Sequence, residues 1–337
     1  MTASILHAMA PAAIGRKARE GAPEMGAFAL PAWAEALRRL AGTLGCGPIA
    51  RRGVSILRRM VLLGRTDPID ARVFASGDAP GLWARLHPRD NLSEKRVFAG
   101  QQFWDPVERQ VLADAIEAHD GPEPFVFVDA GANAGLYSLA AIAAAERARR
   151  ALRIVAIEPD PITLSRLRFN LDAARRRATV SIVGAALAAE AGKVALAPAG
   201  RNRGEVSVTA EESGTMVAAR TLTDVLATEG LERIDALKVD IEGMEASVLR
   251  AFFQTAPADL HPHMIILEAP RGAETDALAL LRAEGYSVLD RTKLNAILRR
   301  AIRPTSASAL TISHGDAPIS AHGRSGAGAH HGDATDG

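Results

Sequence analysis

Four carboxylates stand at the ends of largely apolar runs. The stretches 125–128, 152–157, 234–239 and 263–267 stop at Asp129, Glu158, Asp240 and Glu268. A carboxylate can pair with a ligand cation, accept hydrogen bonds from a diol, or take the proton of a reacting hydroxyl. Runs of this kind read as strands buried on both faces of a mostly parallel sheet. In an open α/β sheet, ligands sit outside the carboxyl ends of the strands, which is where these acids fall. One such acid could equally cap the next helix. Four in the same relation to their strands point to a functional edge.

The loop after the first run narrows the chemistry. Val128-Asp129-Ala130-Gly131-Ala132-Asn133-Ala134-Gly135 leads into a helix-forming run that starts at Leu136. Glycines let the chain turn tightly and bring backbone amides and a helix N-terminus against a ligand. A dinucleotide fingerprint needs a middle glycine where the pyrophosphate approaches, and Asn133 holds that place. Asp129 would repel a pyrophosphate but attract a ligand bearing an amine and a sulfonium. S-adenosylmethionine carries both, and its carboxylate suits the loop amides. Glu158 is suited to accept from both ribose hydroxyls. The expected cofactor set thus includes Asp129, Gly131, Asn133, Gly135 and Glu158.

The rest of the chain must position this edge. With 337 residues, 48% of them hydrophobic, and a net charge of +1, it reads as a soluble globular chain with no electrostatic reason to bind nucleic acid. Its one cysteine, Cys46, excludes an internal disulfide and fits a reducing cytoplasm. No apolar run approaches the roughly 18 residues that span a bilayer, and residues 1–13 lack the pattern of a secretory signal. Residues 1–65 are a basic Ala/Arg-rich extension, with ten Lys and Arg against three acids. There Ile49, Ile56, Leu57, Met60 and Leu63 recur at helical spacing beside Arg51, Arg52, Arg58 and Arg59. Such a helix can lie on an anionic membrane or grip an acidic partner; the expectation is a solvated helix packed on the domain. Residues 66–123 are a lead-in segment, with a short strand near 81–87. A helix follows, opened by Asp105 as N-cap and Pro106 at its first position. Trp83, Phe98, Phe103 and Trp104 are expected to pack. The βα alternation fills 124–302, with an antiparallel excursion between 184 and 222. Residues 303–337 hold almost no large apolar side chains and are expected to be disordered.

Residues 128–138, ending in Leu136-Tyr137-Ser138, resemble the first motif of the FkbM family of S-adenosylmethionine-dependent methyltransferases. Later segments fit in order: Ile157-Glu158-Pro159 with Asn170 downstream, Thr221-Leu222-Thr223-Asp224, Leu237-Lys238-Val239-Asp240-Ile241-Glu242-Gly243-Met244-Glu245, and Ile266-Leu267-Glu268. The likeness covers about residues 82–300. Ala130 departs from a position where the family often has a bulkier β-branched residue, and Thr223 from one where it often has Asp. The resemblance implies a class I methyltransferase fold, a Rossmann-like seven-stranded, mostly parallel sheet with helices on both faces. It also implies methyl transfer to oxygen, often a hydroxyl of a sugar or natural product, and places Tyr137 with the cofactor residues.

Methyl transfer to an alcohol requires the oxygen to be aligned and its proton removed. Asp240 is expected as the base or as the group that orients the hydroxyl, and Glu242 and Glu268 as the lining of the acceptor pocket. A second form has these three acids holding a divalent cation, but no histidine spacing supports a metal and none is assigned. Glu245 reads as a first-turn acid favouring its helix dipole, and the role of Lys238 stays open. The expected partner is a small-molecule or glycan hydroxyl acceptor. Two other readings compete. An NAD-dependent oxidoreductase lacks its glycine loop here, and a non-catalytic scaffold has no use for acids at every strand end.

Overall fold

The computed structural model describes residues 23–301 apart from 46, 78, 175–177, 199–205 and 210–213. The expected disorder of 303–337 falls outside the described residues, as does Cys46. Two helices come first, α1 (Ala32–Thr43) and α2 (Pro48–Leu62). An antiparallel ladder of β1 (Ile69–Val73) and β2 (Leu82–Leu86) follows, then α3 (Leu92–Ala99) and α4 (Pro106–Glu117).

The apolar runs become the central strands. β3 (Phe125–Ala130), β4 (Leu152–Ile157) and β5 (Thr179–Val183) pair in parallel and are linked by α5 (Leu136–Ala148) and α6 (Pro161–Ala174). The chain then leaves for a separate four-stranded sheet of β6 (Ala186–Leu187), β7 (Gly192–Pro198), β8 (Val206–Thr209) and β9 (Thr215–Arg220). This is the expected excursion, antiparallel except where the short β6 runs parallel to β9. After α7 (Leu222–Thr228) the chain returns on the other side of β3 as β10 (Ala236–Val239), α8 (Glu245–Thr255) and β11 (Met264–Glu268). Helix α9 (Asp276–Ala283) and the hairpin β12 (Tyr286–Arg291) and β13 (Asn295–Arg300) finish it, with β13 antiparallel to β11.

The seven strands lie in the order β12-β13-β11-β10-β3-β4-β5. Strand order reverses between β3 and β10, and that switch point opens a crevice at the carboxyl edge. Alternation along each strand feeds two cores. Phe125, Phe127, Ile154 and Ala156 pack with α5 and α6, whereas Val126, Val128, Val155 and Ile157 pack with α7, α8 and α9. The class I architecture and its two helical layers are therefore as expected.

The lead-in segment is bolted to α6. Arg85 donates from Nε and Nη2 to the two carboxylate oxygens of Asp70 at 2.7 and 2.9 Å, stacked over Phe28 and Phe169. Asn170 accepts from the backbone N–H of Arg85 at 2.8 Å and donates to the Ala134 carbonyl at 2.9 Å, so α6 carries the glycine loop and β2 together. Phe98 and Trp104 are buried as expected. α2 departs from its expected packing. It docks through Val54 and Val61, while Ile49, Ile56, Met60 and Leu63 lie exposed. Helical spacing defines an apolar face but not which face meets a neighbour, and this helix has two.

Candidate functional site

Glycine 131 sets the geometry of the crevice. Its φ of +77° is open to glycine, and an added Cβ would lie 1.8 Å from the Asp240 carbonyl oxygen. The loop after β3 therefore rests directly on the end of β10. Gly135, also at positive φ, is packed against Leu167 of α6, where a Cβ would come within 2.8 Å. Two non-glycine residues lining the crevice have left-handed φ, Asn133 at 50° and Glu242 at 55°, and so does Asp105 at 40°, outside its lining. Such backbone strain gathers at functional sites because tight surroundings must hold it.

The resulting cleft is lined by Gly131, Asn133, Glu158, Asp240 and Glu242, with Ile157, Leu187, Ile241 and Met244 as apolar walls. A few convergent polar groups among apolar walls is the mixture of a small-molecule site. The structure thus brings together five of the eight candidate residues, which makes one site of both loops. Three lie elsewhere. Asp129 is fully buried beneath the loop, where one oxygen accepts from the Ser138 N–H at 3.1 Å and its hydroxyl at 2.7 Å. Its other oxygen, Oδ1, has no hydrogen-bond partner among the described residues. Gly135 shapes the packing behind the loop. Tyr137 is buried, turned away from the cleft toward Asp105 and Trp104.

At one end of the cleft, Glu158 accepts from the backbone N–H groups of Asn133 and Asp160, both at 2.9 Å. Burial pushes its carboxyl up to about 7, against those amides, which favour the ionised form. Asn133 is itself held, its Oδ1 accepting from Asn91 Nδ2 at 2.7 Å. Asn91 also caps α3, so the lead-in segment supports the glycine loop.

The other end is built from three elements. Lys238, a lysine inside the buried strand β10, donates to Asp240 Oδ2 at 3.0 Å and to the Gly131 carbonyl at 3.2 Å. Burial pulls its ammonium pKa down, but Asp240 and Asp129 outweigh this and the net shift is upward. Glu268 closes β11 and shares a hydrogen bond with Asp240; burial and then the Asp240 charge push its carboxyl well above the ordinary carboxylate range. Asp105 stands before α4 as expected, with Pro106 at the first helical position, but its side chain does not cap the helix. It accepts instead from the Tyr137 hydroxyl at 3.0 Å. The left-handed backbone turns the carboxylate away from the helix amides. Burial, with Glu108 nearby, raises its pKa. The Tyr137 ring lies 5.2 Å from Lys238 Nζ. Glu245 folds back to accept from the N–H groups of Ile241 and Gly243, fixing the turn that presents Asp240 and Glu242. Among the described residues no three His, Cys, Asp or Glu side chains form a group able to hold a metal ion.

The sequence left the role of Lys238 open and gave Asp105 only as a helix N-cap, so neither was assigned to the site. A lysine within a buried run, two residues before a strand-end acid, was the available signal for the first. Nothing near Asp105 announced a partner thirty-two residues away.

Residues 129–288 match the profile of the methyltransferase FkbM domain. The chain is 29% identical to methyltransferase sdnD of Sordaria araneosa, covering 49% of this chain and 74% of that protein. It is also 29% identical to the AMB antimetabolite synthetase AmbE of Pseudomonas aeruginosa, over 54% of this chain but only 10% of that much longer protein. Among solved structures, an O-methyltransferase from Bacillus cereus in complex with SAH aligns with 57% of this chain and 80% of its own, at 12% identity and a TM-score of 0.33. The motif residues, the switch-point cleft and the matched profile agree on an S-adenosylmethionine-dependent methyltransferase whose residues 129–288 are similar to the FkbM domain.

Proposed function

We propose that the protein transfers a methyl group to a hydroxyl of a small-molecule or glycan acceptor, of the sugar or natural-product class, in a reducing cytoplasm. The observation that carries this reading is the setting of Asp240, whose carboxylate lines the cleft while Lys238 and Glu268 hold it from behind. A hydroxyl acceptor needs such a group, because it must lose a proton as its oxygen is alkylated.

Glu158, Gly131 and Asn133 would hold the nucleoside part of S-adenosylmethionine, with Glu158 accepting from the ribose hydroxyls and Ile157 and Leu187 beside the base. Bound there, S-adenosylmethionine supplies a methyl already activated on a sulfonium. The protein's share is alignment and proton removal. Asp240 orients the acceptor hydroxyl and receives its proton, and Glu242 lines the acceptor side. Lys238 keeps Asp240 in one rotamer. Glu268 adds a hydrogen bond to Asp240, and the upward push on its carboxyl favours the protonated form, which brings no like charge. Asp129 is held through Oδ2 by Ser138 in the first turn of α5, while its Oδ1 is left without a hydrogen-bond partner among the described residues.

Calorimetry with S-adenosylhomocysteine and NAD, followed by transfer of labelled methyl to a panel of hydroxyl, amine and thiol acceptors, tests the reading. Binding of the sulfur nucleotide alone and label on oxygen is the expected result. Label on nitrogen or sulfur with none on oxygen would overturn the acceptor class.

A further inference from the structure

Helix α2 has two apolar faces, and among the described residues only one meets the rest of the protein. Val54 and Val61 are buried. Ile49, Ile56 and Met60, which fall on one narrow arc at 100° per residue, are 86, 59 and 52% exposed, and Leu63, just past the end of the helix, is 83% exposed. Helix α1 repeats the pattern: Ala34 and Ala41 are buried, whereas Trp33 and Leu40, two turns apart, are 59 and 52% exposed. These six are half of the large apolar side chains exposed among the described residues, gathered on one pair of packed helices. Single exposed apolar residues need no explanation, but a stripe along two helices marks a surface that is covered in use.

The charge around the stripe selects what covers it. Arg52 and Arg59 lie at its edge on the helical arc, and residues 23–65 carry seven arginines against two glutamates. Aliphatic and tryptophan side chains bordered by arginines match the boundary of an anionic bilayer, where acyl chains and phosphates lie within a few ångströms of each other. No helix among the described residues is long and apolar enough to cross a membrane, so contact through these helices would be in the interface plane.

We propose that α1 and α2 form a membrane-docking surface that lies in the headgroup region of an anionic bilayer, with Ile49, Ile56, Met60, Leu63 and Trp33 inserted. The surface is independent of the methyl-transfer cleft. Pelleting of the full chain with sucrose-loaded vesicles tests it, using phosphatidylcholine alone or with about one-third phosphatidylglycerol. The anionic vesicles should bind, the neutral ones far less. Ile56→Ser with Met60→Ser should lower the partition coefficient on the order of 100-fold, since each side chain loses about tenfold of transfer. Arg52→Glu with Arg59→Glu should lower it on the order of tenfold or more. All four positions are surface residues, so S-adenosylhomocysteine binding and Tm should be unchanged, which shows that the variants fold. No binding to either vesicle would overturn the proposal, as would anionic binding that survives Ile56→Ser with Met60→Ser. Concentration-dependent dimerisation abolished by the same substitutions, without vesicle binding, would assign the stripe to a second copy of the chain and overturn it too.

Discussion

The two ends of the cleft are held by different means. Glu158 is fixed by backbone amides from its own loop and the facing one, all within residues 133–160. Asp240 is fixed by side chains, Lys238 from its own strand and Glu268 from the next, with Tyr137 and Asp105 behind Lys238. Backbone amides at a motif loop can be relied on to bind a constant ligand part. A side-chain cluster drawn from several elements can be retuned without rebuilding the loop. The first arrangement suits a cofactor and the second an acceptor.

Breaking both ends at once needs only Gly131. Gly131→Ala forces a Cβ into the Asp240 carbonyl oxygen at a φ that L-residues rarely adopt. It is expected to cost about 2–3 kcal/mol of stability, and to remove both S-adenosylhomocysteine binding and turnover, read by thermal unfolding and calorimetry. Normal binding in this variant would show that the two loops do not depend on one another. Asp240→Asn should separate the ends. We expect kcat to fall about 10²- to 10⁴-fold, the range for a lost general base, with affinity for S-adenosylhomocysteine within about twofold of wild type. An equal loss in both would place Asp240 in cofactor binding instead.

Glu158 gives a pH signature at the other end. Its carboxyl sits at about 7 in the free protein, and hydroxyl donors favour the ionised form. Ligand binding should therefore release a proton, and affinity for S-adenosylhomocysteine should rise about tenfold from pH 6 to pH 8. Glu158→Gln should bind weakly and lose that pH dependence. The same shift acts on stability. A carboxyl raised from its ordinary range holds more protons folded than unfolded, so stability falls as pH climbs from about 4.5 to about 7. Tm measured across that window should be flatter in Glu158→Gln.

The contrast also explains what was legible in the sequence. The strands at 125–130, 152–157 and 264–268 declare themselves as apolar runs, and Gly131 and Gly135 as the turn between strand and helix. The Glu158 end was readable because its parts lie in two adjacent βα units. The Asp240 end was half readable: the acids stood out by position, but the pairing with Lys238 needed a strand that stays regular to its end. Asp105 and Tyr137 meet only through the packing of α4 against α5, which no local pattern specifies. The outward stripe of α2 was visible as periodicity, but its direction depends on which neighbours the helix finds.

Tyr137 offers the finest division between the two ends, because the motif places it with the cofactor and the structure turns it toward Asp105. Its hydroxyl donates to a carboxylate that burial already pushes above the ordinary range. Tyr137→Phe removes that bond while leaving the ring against Trp104 and near Lys238. The loss should cost about 1 kcal/mol, and it should be larger at high pH. Without the donor Asp105 holds its proton to still higher pH, so more of the folded-state stability is lost as pH rises above the usual carboxylate range. Affinity for S-adenosylhomocysteine should not change, because the hydroxyl does not face the cleft, and kcat should fall only a few-fold through a looser Lys238. A tenfold loss of affinity with kcat intact would instead place the hydroxyl on the cofactor, and the boundary between the two ends would then run through Tyr137 and not through Gly131.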